Sequence, residues 1–199
     1  GVERKLKWFP VKKKEILFVG RLVPEKGVHF YVDAIKAIAH KYPEWNFGLI
    51  GSFRLGDNKN ENFFSEQIIK KMKDIGSQAQ FYGFKDQEFV EKKMKTASII
   101  VIPSIWQEPF GLVAAEAMSN GACVIASKVG GITEILGNNG MLIENIDYLK
   151  LQQNLIEVLN NKKLREDYQK KSWNNFMFSS ENSSKRLDQF RREILEEHF

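Results

Sequence analysis

The sequence predicts an α/β fold with a doubly wound parallel sheet, and three observations carry that reading. Six short apolar runs alternate with helix-like segments along the whole chain, the arrangement that βα units produce. The run Ile99 to Ile102 is continuously apolar and β-branched, as a strand covered on both faces, which needs no polar alternation, can be. The 199 residues and 43% hydrophobic content suffice for one full core, and no internal repeat or low-complexity tract divides the chain.

Strands are expected at Glu15–Gly20, Trp45–Gly51, Ala79–Gly83, Ser98–Ile102, Cys123–Ser127 and Gly140–Ile143. The first runs into Gly20-Arg21, and a helix follows over Val28–Lys41. The second ends in Gly51-Ser52, and a polar loop from Leu55 precedes a helix over Asn62–Ile75. The third closes in Phe81-Tyr82-Gly83-Phe84, with a helix over Asp86–Thr96. Pro103 ends the fourth, since proline cannot donate to a ladder, and a helix of small apolar residues runs over Leu112–Ser119 until Asn120-Gly121 stops it. After the fifth strand a short helix spans Ile132–Leu136. Helices over Tyr148–Asn160, Lys163–Phe178 and Glu181–Glu197 complete the chain.

Pro103 to Ala117 is the most informative stretch. Two carboxylates, Glu108 and Glu116, bracket a Pro109-Phe110-Gly111 turn at a helix start. A helix N-terminus offers unpaired N–H groups and the positive end of the macrodipole, so a phosphate can be held there by backbone. Gly111 permits close approach. Glu116, in the second turn, suits a vicinal diol such as a ribose 2′,3′ pair. Glu108 lies in the loop after the strand, where α/β folds place their ligands. Either glutamate alone reads better as a solvated acid; the joint pattern in its strand–loop–helix setting favours a phosphorylated-sugar site. After the first strand, Arg21 and Lys26 suit a diphosphate, arginine by bidentate contact and lysine as a mobile charge, against the alternative of a solvated basic loop.

These motifs resemble the nucleotide-sugar-binding half of retaining glycosyltransferases of the GT-B fold, in particular the family 4 group, also called glycosyl transferases group 1. Its mark is a glutamate, seven residues and a second glutamate, which Glu108 and Glu116 match. The resemblance implies a Rossmann-like domain that is one half of a GT-B enzyme. It assigns the ribose hydroxyls to Glu116, the donor sugar to Glu108, and diphosphate contacts to the backbone of Phe110, Gly111 and Leu112. Arg21 and Lys26, after Gly20, would stabilise the leaving diphosphate. Gly51 falls where the family often has Gly-x-Gly, although Phe53-Arg54 departs from that pattern. Phe84 would meet the base through main-chain groups, or is a buried strand end with Tyr82. Gly131, Thr133 and Glu134 match a loop facing donor sugar and acceptor, with a helix cap as the other reading of Thr133.

The resemblance further implies transfer of a hexose from a UDP-, GDP- or ADP-linked donor to a saccharide or lipid-linked acceptor, as in cell-surface polysaccharide or lipopolysaccharide biosynthesis. No metal or other cofactor is expected, because Arg21, Lys26 and the helix dipole take the role of a cation, and there is no Asp-x-Asp pair. Residues 1–14 resemble an interdomain linker, residues 15–179 the nucleotide-sugar-binding domain, and residues 180–199 a helix returning to an acceptor-binding N-terminal domain that the chain lacks. The isolated domain is expected to bind nucleotide and transfer little. A nucleotide-sugar epimerase, a phosphorylase and a non-catalytic binding module stay open; for the phosphorylase no pyridoxal-lysine motif is seen.

Other classes find less support. Asp57 to Glu61 lacks the central glycine of a calcium loop, and His29, His40 and His198 have no ligand spacing. Cys123 sits alone in an apolar run, with no disulfide expected. The net charge of +5, with lysines at Lys12-Lys13-Lys14 and Lys92-Lys93, comes without a nucleic-acid recognition motif; such clusters are most often a solvated face, and as a partner an anionic membrane leaflet fits better than nucleic acid. No run is long enough to span a bilayer, and the expected location is cytoplasmic, at the inner face of the membrane.

Overall fold

The computed structural model describes residues 11–52 and 59–178, together with nine residues between 182 and 193 that have helical backbone. Asp57, His198, Phe53-Arg54 and part of the expected terminal helix lie outside the described residues. Six parallel strands form one sheet: β1 (Lys13–Val19), β2 (Asn46–Ile50), β3 (Ala79–Gly83), β4 (Ala97–Ile102), β5 (Cys123–Ser127) and β6 (Met141–Ile143). Their spatial order is β3-β2-β1-β4-β5-β6, so the winding reverses between β1 and β4. At such a switch point the connections leave in opposite directions and open a crevice at the carboxyl ends of the two strands.

Helices cover both faces. On one side α1 (Val28–Ile38), α2 (Lys59–Ile75) and α6 (Tyr148–Asn160) pack on Ile16, Phe18, Phe47, Leu49, Ile99 and Val101. On the other, α3 (Gln87–Thr96), α4 (Leu112–Ser119) and α5 (Gly130–Leu136) meet Leu17, Ile100, Ile102, Val124 and Ala126. Alternate residues of β4 thus enter different cores, and all six of its residues are buried. Ala114, Ala115 and Ala117 let α4 lie close on the sheet. The Tyr31 hydroxyl reaches Ile16 O and Gly48 O at 3.0 and 2.9 Å, tying α1 to β1 and β2. Burial pushes the Cys123 thiol up to about 12, as expected of an inert strand residue.

Several boundaries differ from expectation. β1 begins at Lys13, two residues early, because Lys13 pairs with Ala97 and its carbonyl accepts the Ser98 hydroxyl at 2.7 Å. Trp45 precedes β2 and is buried under the Arg165 guanidinium, 5.0 Å from the ring centroid. The first helix becomes a 3₁₀ turn at Ala39–Lys41, and α2 starts at Lys59 rather than Asn62. Helix α7 (Lys162–Asn174) stops four residues before Phe178. Burying Phe176 against the α4 side requires the chain to leave the helix. The Lys12 ammonium, just before β1, donates to Lys95 O at 2.7 Å and Asn120 O at 2.6 Å. It thereby satisfies carbonyls at the ends of α3 and α4. Burial, with the nearby Lys95 charge, lowers it to about 8.

Candidate functional site

The loops leaving β1 and β4 meet at the switch point. After β1, Pro24–Lys26 forms a 3₁₀ turn closed by Gly27 at φ +63°, a left-handed conformation that glycine tolerates. A Cβ on Gly27 would lie 1.8 Å from Pro103 O. The β1 loop therefore touches the β4 loop backbone to backbone. The Glu25 carbonyl reinforces the contact, accepting from Ile105 N at 2.8 Å and Trp106 N at 3.2 Å. On the other side Gly51, at φ +147°, lies against Gly20 O, where a Cβ would come within 1.8 Å. Gly20 N donates to Ile50 O and Gly51 N to Gly83 O, so the loops after β1, β2 and β3 continue the sheet's ladder.

The β4 loop is buttressed from below by the start of α5. Gly131 N donates to Glu108 O at 2.7 Å, and Gly130 N to the Gln107 side-chain oxygen, also at 2.7 Å. A Cβ on Gly131 would fall 2.5 Å from Phe110 O, so the glycine pair is there to let the two segments touch. Gly111, at φ +85°, caps α4 and packs on Ile132. Its lack of a side chain thus serves the turn and this packing. Ala114 N and Ala115 N close back on Gly111 O. Among the described residues the amides of Gly111, Leu112 and Val113 have no protein acceptor, as expected of a helix start.

Three clefts open along this edge. A cavity of about 120 Å³ is lined by Gly20, Lys26, Ser104, Glu108, Gly111 and Leu112. A more apolar one of about 320 Å³ lies between Gly20, Arg21, Gly51, Ser52, Phe84 and Val90. A polar one of about 380 Å³ is bounded by Arg21, Glu25, Lys26, Trp106 and Glu108. Lys26 pairs with Glu108 Oε1, and Ser104 Oγ donates to the same oxygen at 2.8 Å. Arg21 is exposed and forms no ion pair among the described residues. Glu116 is half-buried on α4 and accepts from Gln87 Nε2 at 3.0 Å. Burial raises it above the ordinary carboxylate value, the Gln87 bond opposes that rise, and Glu91 adds to it.

The structure therefore brings together Gly20, Arg21, Lys26, Gly51, Phe84, Glu108, Gly111 and Leu112. Others take different places. The Phe110 ring turns to Phe178, edge to face at 6.0 Å, so only its backbone is at the loop. Phe84 is 67% exposed, against the alternative of a buried strand end. Thr133 lies inside α5, whose cap position is Val129, and so is not a helix cap. Neither Thr133 nor Glu134 lines any of these three clefts. Ser104, Gln107 and Gln87 were not singled out by the sequence. The first two were legible only as polar residues inside the motif, and Gln87 gave no signal because its partner is on another element. Among the described residues no group of three His, Cys, Asp or Glu side chains could hold a metal ion. No described helix is long and apolar enough to cross a membrane.

A doubly wound sheet with basic and acidic side chains converging at its switch point defines a Rossmann-like domain with a site suited to phosphorylated ligands. The family model for glycosyl transferases group 1 matches residues 3–174, and the chain belongs to that family. A glycosyltransferase of Methanocaldococcus jannaschii is 39% identical over 151 residues, which are 75% of this chain and 39% of that protein. The C-terminal domain of LpcC, a group 1 family protein of Francisella tularensis, superposes with a TM-score of 0.69 at 26% identity, covering 82% of this chain and 85% of that one. The Anabaena protein HepE, solved in complex with UDP, shares the fold with a TM-score of 0.77 at 21% identity, over 92% of this chain and 49% of its own. The chain spans about two fifths of the length of the curated relatives it matches. It corresponds to the C-terminal half of a GT-B glycosyltransferase.

Proposed function

We propose that this domain binds the nucleoside diphosphate sugar for a retaining hexosyl transfer to a saccharide or lipid-linked acceptor, in cell-surface polysaccharide or lipopolysaccharide synthesis at the inner face of the membrane. The observation that carries the reading is the meeting of Arg21, Lys26, Glu108 and the open amides of α4 at the β1/β4 switch point. The apolar cleft beside Phe84 is sized for the nucleoside, and Glu116 holds the ribose diol. The amides of Gly111 and Leu112 hold the diphosphate, and Arg21 with Lys26 neutralises it as the glycosidic bond breaks. Glu108 orients the donor sugar. The acceptor and its binding loops belong to a second domain, and association with an anionic membrane surface follows from the basic balance.

Calorimetric titration with UDP, GDP and ADP tests this directly. One nucleotide is expected to bind, and Arg21→Ala and Glu116→Ala are each expected to weaken it about tenfold, the loss of one charge-assisted contact. Because Arg21 makes no ion pair among the described residues, its removal is expected to leave the melting temperature unchanged. Absence of binding by all three nucleotides to this chain and to the full-length protein would overturn the donor-site reading.

A further inference from the structure

We infer that Ser104 is a positioning residue that holds one oxygen of Glu108 so that the other is presented to the donor sugar, an inference that rests on the donor-site reading above. Ser104 is 1% exposed, in the first turn of chain after β4. Its hydroxyl has one hydrogen and three acceptors within reach: Glu108 Oε1 at 2.8 Å, Glu25 O at 3.2 Å and Trp106 O at 3.4 Å. A single O–H can serve only one of them well. The shortest contact is also the one to an ionised oxygen, where a hydrogen bond is strongest. The proton therefore points at Glu108.

Lys26 reaches the same Oε1 from the other side. Both protein donors converge on one carboxylate oxygen, and among the described residues Oε2 has no partner. A carboxylate pinned in this way keeps its second oxygen free to accept from a sugar hydroxyl. Ser104 is itself anchored from a different strand. Ser127, 1% exposed at the end of β5, has its Oγ 2.5 Å from Ser104 O and 3.2 Å from Ile102 O. The chain Ser127 to Ser104 to Glu108 links the sheet to the cleft and makes the glutamate's orientation a property of the core. Lys26 alone would not do this, since a phosphate competes for its charge while it does not compete for a buried hydroxyl.

The test compares nucleotide with nucleotide sugar. The protein, its Ser104→Ala and Ser104→Thr variants, Glu108→Gln and the Ser104→Ala/Glu108→Gln double variant are titrated with UDP, GDP and ADP, then with UDP-glucose, GDP-mannose and ADP-glucose. Ser104→Ala is expected to keep the nucleotide's affinity within twofold while weakening the corresponding nucleotide sugar about tenfold. Ser104→Thr, which keeps the hydroxyl, is expected to restore it. In the Glu108→Gln background Ser104→Ala is expected to add less than twofold, because the two residues act as one unit. Equal losses for nucleotide and nucleotide sugar, no loss for either, or additive losses in the double variant would each overturn the inference and leave the donor-site reading standing. Binding of no nucleotide at all would instead overturn that reading, and the role of Ser104 with it.

Discussion

Replacing Gly27 by alanine tests the contact on which the two site loops depend. The new Cβ would sit 1.8 Å from Pro103 O and has to retreat to at least 3.0 Å, so the loops must part by about 1.2 Å. That displacement carries the Ile105 and Trp106 amides, now 2.8 and 3.2 Å from Glu25 O, beyond hydrogen-bonding distance. Two such bonds contribute about 2 kcal/mol, and holding alanine at φ +63° adds about 1 kcal/mol. The expected destabilisation is about 3 kcal/mol by urea unfolding. Gly76→Ala is the control, since Gly76 is also left-handed, at φ +89°, with nothing within 4 Å of its Cβ position. It is expected to lose only the backbone share, about 1 kcal/mol. Should the loops separate without unfolding the rest, nucleotide affinity falls instead and the melting curve moves less. The reasoning fails if Gly27→Ala matches Gly76→Ala in both stability and nucleotide affinity.

Two pH dependences follow from the same geometry. Burial raises Glu116, and on the proposed reading its ionised form accepts from a ribose diol, so the preference for a ribonucleotide over its 2′-deoxy analogue is expected to be full above that raised value. The preference is expected to disappear as pH falls through it, at higher pH than an ordinary carboxylate would allow; a flat ratio from pH 7 to 4 would refute this. Lys12 titrates at about 8 in the fold and at its ordinary 10.5 when unfolded, so between those values the unfolded chain binds more protons and stability rises with pH. Across that window the rise is up to about 3 kcal/mol, and Lys12→Met is expected to remove it. The check is the difference between the two proteins' urea midpoints at pH 7 and pH 10, which cancels the other titrating groups.

The strands and their order of appearance were legible because fully covered strands must be apolar, and Ile99 to Ile102 has no alternative reading of that length. The helix start at Leu112 was legible from Pro109-Phe110-Gly111. Strand order was not, because nothing local to β1 says that β4 rather than β3 lies beside it. The early end of α7 was also hidden: the apolar Phe176-Met177-Phe178 reads as a continuation of the helix, and only the distant apolar surface under α4 draws Phe176 away. Within the site, the charged residues stood out and the uncharged ones that hold them did not. Ser104 and Ser127 are ordinary serines at strand ends until the sheet is assembled and places them 2.5 Å apart, oxygen to oxygen. Gly131 reads in the sequence as part of a loop facing donor sugar and acceptor, and what the sequence does not show is that the Gly131 amide grips Glu108 O and the Gly130 amide the Gln107 side chain.

The pairing of Lys26 with Glu108 changes the charge balance at the switch point. Considered as isolated side chains, Arg21 and Lys26 would offer two positive charges to a diphosphate. With Glu108 at its side, Lys26 is largely neutralised, which leaves Arg21 as the exposed cation and the α4 amides as the remaining positive field. On the donor-site reading proposed above, a diphosphate would gain from Lys26 only by sharing it with Glu108, and the ammonium would join the leaving group to the residue proposed to orient the sugar. Such a joint would call for a second donor to the glutamate that does not move. Were Lys26 to shift toward developing negative charge on the phosphate, Ser104 would still hold Oε1, and the oxygen proposed to face the sugar would stay in place while the bond breaks.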